Sequence, residues 1–78
     1  MDWQKIKLPA GGQLLQAHSF IYLANGRNYQ LEINQYSDGR CMGYGQISND
    51  ESQQLKPVNG DSLEKCLQSL IDSIHARV

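Results

Sequence analysis

The chain has no surplus of charge of either sign. Seven Lys and Arg stand against eight Asp and Glu, a formal net charge of −1 at pH 7. Nucleic-acid binders draw most of their sequence-independent affinity from neutralising phosphates, so this balance disfavours such a partner. Near-balanced charge with 40% hydrophobic residues also excludes a self-repelling disordered tail. Long apolar runs are lacking, and no stretch reaches the length that spans a bilayer. The opening residues, MDWQKIKLPAGGQ, carry neither the apolar core of a secretory signal nor the Arg-rich character of a transit peptide. A cytoplasmic location without membrane contact is the resulting expectation. Asn, Gln and Ser are frequent but dispersed, which is ordinary surface chemistry.

Chemistry-bearing side chains are equally sparse. Two cysteines and two histidines are present, and no spacing among His18, Cys41, Cys66 and His75 matches a zinc site. Cys41 and Cys66 fall in a predicted strand and helix and read as small buried hydrophobes with reduced thiols. Asp50-Glu51 is a carboxylate pair, but no His, Lys or nucleophile stands near it, and a solvated loop is the simpler reading. No acid, base, nucleophile, metal or cofactor assignment emerges, so the chain is expected not to be an enzyme.

What is present is enough for one small domain, residues 1–78. A chain of this size buries only about 60% of the surface its unfolded form exposes, so self-association would be a natural support.

The segment NGDSLEKCLQSLIDSIHARV is the clearest element. Leu63, Cys66, Leu67, Leu70, Ile71 and Ile74 recur at three- and four-residue steps, the stripe of an amphipathic helix. Asp61 stands three residues before Glu64 in a capping-box-like arrangement, and Arg77 near the end suits the helix dipole. The predicted helix spans about Ser62 to Ala76. Before it, HSFIYLA and NYQLEINQY flank Asn25-Gly26, and CMGYGQIS follows Asp38-Gly39. Such dipeptides between apolar-rich runs are strong hairpin signals. QKIKLP, ended by Pro9 and Gly11-Gly12, is a plausible fourth strand with Ile6 and Leu8 inward and Lys5 and Lys7 outward. NDESQQLKPVNG reads as a polar loop. The predicted fold is α+β: an antiparallel meander of three to four strands with one C-terminal helix on one face, β-β-β-β-α.

Turn length decides which face is buried. Two-residue loops at both turns set Tyr22 opposite Tyr29 and Ile33 opposite Tyr44. Phe20, Tyr22, Tyr29, Leu31, Ile33, Met42 and Tyr44 then gather beneath the helix. Three-residue loops ending in Gly26 and Gly39 would instead put Gly43 and Gly45 there and turn Phe20, Met42 and Tyr44 outward. The first arrangement buries more large side chains and is preferred. It leaves a candidate contact face of Ile21, Leu23, Asn34, Tyr36, Gly43, Gly45 and Ile47, best suited to a second copy of the chain.

LEINQYSDGR (Leu31 to Arg40), with the strand, polar loop and helix that follow it, resembles the PUR repeat. That is a β-β-β-β-α module of purine-rich single-strand DNA- and RNA-binding proteins, which assembles with another repeat. The resemblance implies this fold and a pairing tendency. At positions where the family tends to carry basic or aromatic contact residues, this chain has Asn34, Gly43 and Cys41, although Arg40 remains. The leading expectation is therefore a non-enzymatic homodimeric module that mediates protein contact. Single-strand nucleic-acid binding through Arg27, Tyr36 and Arg40 is the alternative.

Overall fold

The computed structural model describes residues 2–47 and 50–76. Among them, β1 (Leu15–Ala24), β2 (Arg27–Tyr36) and β3 (Cys41–Ile47) form an antiparallel meander. Next come β4 (Asp50–Gln54), β5 (Val58–Gly60) and α1 (Leu63–Ala76). The sheet order is β1-β2-β3-β4, with β5 also paired to β3, and the helix packs on one face. This is the expected α+β meander with a terminal helix.

The first hairpin has the expected two-residue loop. Asn25 and Gly26 both take positive φ (54° and 72°), as a turn matched to strand twist requires. Tyr22 pairs with Tyr29 and Phe20 with Leu31.

The second hairpin corrects the preferred arrangement. Its loop is Ser37-Asp38-Gly39. Gly39 N–H donates to Tyr36 C=O at 3.0 Å, Tyr36 N–H donates to Arg40 C=O at 2.8 Å, and Gly39 has φ +99°. The odd residue slips β3 by one place, so Ile33 pairs with Gly43, Leu31 with Gly45 and Glu32 with Tyr44. Cys41, Gly43, Gly45 and Ile47 therefore share the helix-facing side with Leu31 and Ile33. Met42 and Tyr44, expected inside, turn outward. Phe20 and Tyr22 do face the helix side.

The physical reason lies in what covers the glycines. A Cβ on Gly43 would stand 3.0 Å from both Leu70 Cδ1 and Val58 Cγ2. On Gly45 it would stand 2.6 Å from Leu55 Cδ1 and 2.9 Å from Leu31 Cδ2. Bare backbone here admits branched side chains from the helix, from β5 and from the segment between β4 and β5. The core that results comprises Tyr29, Leu31, Ile33, Cys41, Leu55, Cys66, Leu70 and Ile74, ringed by half-buried Phe20, Tyr22, Ile47, Val58, Leu63, Leu67 and Ile71.

The fourth strand also differs from expectation. Trp3–Lys5 forms a single 3-10 turn, and Ile6 and Leu8 are exposed rather than turned inward. Pairing with β3 comes instead from the segment read as a polar loop. From Gln46 to Gly43 β3 moves three residues while its partner moves four, from Gln54 to Val58. That extra residue is a bulge; it lets Leu55 and Val58, three apart, both point into the core. Pro57, which has no N–H to give a ladder, falls within it.

α1 begins one residue later than predicted. Ser62, not Asp61, is the cap: its Oγ accepts from Lys65 N–H at 3.2 Å. Asp61 pairs with Lys65 Nζ at 3.0 Å, four residues along. Arg77 lies outside the described residues. His75 meets Tyr22, with Nε2 2.6 Å from the hydroxyl and the rings edge to face at 5.8 Å. This contact ties the end of the helix to β1.

The arrangement is testable at Gly45. A valine there would favour a solvent-facing strand position, but at this buried site it must displace Leu55 and Leu31. Gly45→Val is expected to lower stability by about 1–3 kcal/mol or more in denaturant unfolding, and an unchanged or raised midpoint would contradict the register.

Candidate sheet-face contact site

The face away from the helix is built from alternate residues of three strands. β1 contributes Leu15, Ala17, Ser19, Ile21 and Leu23. β2 contributes Asn28, Gln30, Glu32, Asn34 and Tyr36, and β3 contributes Met42, Tyr44 and Gln46. Cross-strand pairing lines these into rows. Ile21, Gln30, Gln46 and Gln54 make one row, and Ser19, Glu32 and Tyr44 the next. The two rows line a concavity of about 470 Å³ together with Phe20, Leu31, Gly45, Leu55 and Pro57.

The two ends of this face differ in chemistry. Toward the first turn it is apolar and open: Ile21 is 67% and Leu23 70% exposed. Asn28, paired with Leu23, buries its Oδ1 without a hydrogen-bond partner. Toward the second turn, the Arg40 guanidinium lies 5.3 Å over the Tyr36 ring and its Nε donates to Asp38 Oδ2 at 2.7 Å. The Arg40 backbone N–H also donates to Asp38, and together with the guanidinium it holds the Asp38 carboxyl below its usual range. Arg40 therefore arrives with its charge already answered. Among the described residues Glu32 is the one acidic side chain in the middle of the face.

Of the residues expected to share a contact surface, Ile21, Leu23, Asn34 and Tyr36 do lie on this face. Gly43, Gly45 and Ile47 lie on the other, beneath the helix and Leu55, because of the three-residue turn. Tyr44, 41% exposed, and Gln46 take their places. The three nucleic-acid candidates do not converge: Tyr36 and Arg40 meet, while Arg27 opens β2 nine residues away, about 30 Å along an extended strand. Gln46 and Gln54 were missed, since their alignment with Gln30 depends on the β2–β3 slip and on a strand not foreseen.

No family model, curated protein or solved structure matches the chain. Among the described residues no group of three His, Cys, Asp or Glu side chains is placed to hold a metal. Among these residues no helix is long and apolar enough to cross a membrane. His18, on the helix side, bonds Gln35 at 3.0 Å. The side chains of Asp50 and Glu51 lie outside those described.

The two cysteines are free and buried together. Cys41 pairs with Gly60 across β3 and β5, and the Cys66 Sγ packs against Gly60, 3.1 Å from where its Cβ would be. Burial pushes both thiols up, and for Cys66 the neighbouring Cys41 adds to the effect. A thiolate is the reactive form, so both groups are held inert. A folded-state pKa above the unfolded one stabilises the fold below the unfolded value, and that contribution is lost as pH rises past it. Native protein at neutral pH is expected to resist an aromatic disulfide reagent for many minutes and to release two equivalents at once in denaturant. Rapid native labelling of either cysteine would contradict this packing.

Proposed function

We propose that this chain is a small non-enzymatic binding module that pairs with a second copy of itself through the sheet and in that form contacts a protein partner. One observation carries the reading. Ile21 and Leu23 stand about two-thirds exposed on a strand that, among the described residues, has a neighbour on one side only. A small core gains most from covering such a surface, because each fully buried Leu or Ile side chain contributes about 1.5–3 kcal/mol. The face carries little charge, so two copies approach without strong repulsion. Two reduced, buried thiols suit a cytoplasmic setting.

The nucleic-acid alternative, with the PUR-repeat resemblance behind it, has less support. Base stacking is worth about 1–3 kcal/mol per base, and Tyr36 already carries Arg40 over its ring while Asp38 offsets the cation. Arg27 stands at the far end of the strand.

Light scattering coupled to size exclusion, across a hundredfold range of concentration, is the direct test. The mass is expected to rise toward twice 8.8 kDa as concentration increases. Ile21→Lys, at an exposed position, should hold the chain at monomer mass with the unfolding midpoint of the dilute, monomeric wild type. A wild-type chain that stays monomeric at the highest concentration would overturn the proposal.

A further inference from the structure

Resting on the self-association reading above, we infer that the joint is the open edge of β1. Two copies pair antiparallel about a two-fold axis at Ser19, in the register that sets Leu15 against the partner's Leu23. The sheet then runs unbroken through both copies.

The backbone shows which groups are free. The two-residue turn makes Ala24 and Arg27 the closing hydrogen-bonded pair of the first hairpin. Hydrogen-bonded pairs alternate along an antiparallel ladder, so Ala24, Tyr22, Phe20, His18 and Gln16 give their N–H and C=O groups to β2. Leu15, Ala17, Ser19, Ile21 and Leu23 turn theirs to the open edge. These five residues also carry the outward-facing side chains, so edge and exposed apolar surface coincide.

Protected edges usually show charges, prolines, bulges or a covering element. The β1 sequence LQAHSFIYLA contains no Lys, Arg, Asp, Glu, Pro or Gly. Its ten pairs with β2 run without a bulge, and among the described residues no strand lies beyond it. The opposite margin of the sheet is different. There β4 and β5 are short, a bulge separates them and Pro57 interrupts the donors. One edge is blunted and the other is left ready to pair.

The register follows from self-complementarity. A two-fold contact makes each residue meet its counterpart reciprocally. With Ser19 opposite the partner's Ser19, all five free-edge residues pair, each pair exchanging two bonds. Leu15 then meets the partner's Leu23, and Ala17 the partner's Ile21. On the helix side Phe20 meets the partner's His18, and Tyr22 the partner's Gln16. Shifting the axis by one residue either way leaves one free-edge residue of each copy unpaired and separates Leu15 from Leu23. No like charges are brought together within the strand. A seam of one strand on another is smaller than the roughly 1,600 Å² of a standard specific interface, so the dimer is expected to dissociate on dilution.

Amide hydrogen exchange on the full chain, above and below the concentration at which light scattering shows dissociation, tests the inference. The amides of Leu15, Ala17, Ser19, Ile21 and Leu23 are expected to slow at least tenfold in the dimer. A dimer in which these five exchange as in the monomer would overturn the edge joint while leaving self-association intact. A strict monomer would remove both. The register has its own readout on the exposed side chains: Ile21→Glu should weaken pairing at least tenfold, and adding Ala17→Lys should recover most of that loss. Failure of the double variant to recover would exclude this register.

Discussion

The close approach at Gly43 and Gly45 is the constraint on which the rest of the structure depends. Two consecutive inward positions on β3 carry no side chain, so Leu70, Val58, Leu55 and Leu31 close over bare backbone. This fixes the parity of β3 against β2, and the three-residue turn around Gly39 is the backbone solution that delivers it. Everything on the far side follows, because the same slip that hides the glycines sends Met42 and Tyr44 outward. The helix lies over β2, β3 and β5 and reaches β1 through the His75–Tyr22 contact.

That placement leaves β1 with a full partner on one side and, among the described residues, none on the other. Its residues read as core material, yet Ile21 and Leu23 are the most exposed large apolar side chains described. In a chain this small such surface is costly. The proposed second copy would resolve the mismatch with no new chemistry, since the strand offers both the backbone groups and the apolar side chains. The concavity lined by Gln30, Gln46, Gln54, Glu32 and Tyr44 lies beside that seam. Pairing would set two such hollows in one continuous sheet, available to a partner.

Legibility in the sequence was uneven, for physical reasons. The helix was readable because its apolar stripe repeats at helical spacing and docks on one surface; only the cap was misplaced, by one residue. The first hairpin was readable because Asn25-Gly26 admits a turn of one length well. Asp38-Gly39 signals a turn as strongly but not its length, and a single added residue reverses every side chain beyond it. The sequence pattern therefore puts Ile21, Leu23, Asn34 and Tyr36 on the outer face, where they lie, but also Gly43, Gly45 and Ile47, which lie inside. The last strands were hidden by their bulge: Leu55 and Val58 stand three apart, which masks the two-residue period of a strand, and Pro57 reads as a loop. In QKIKLP the alternation was real, but its apolar residues meet no surface to cover.

The most direct measurement is a set of through-space proton contacts in solution. Leu70 methyl protons are expected to touch the Gly43 α-protons, and Leu55 methyl protons those of Gly45, with the Tyr44 ring remote from both leucines. Strong contacts between the Tyr44 ring and Leu70, with the glycine protons silent, would contradict the packing from which both faces of this sheet are derived.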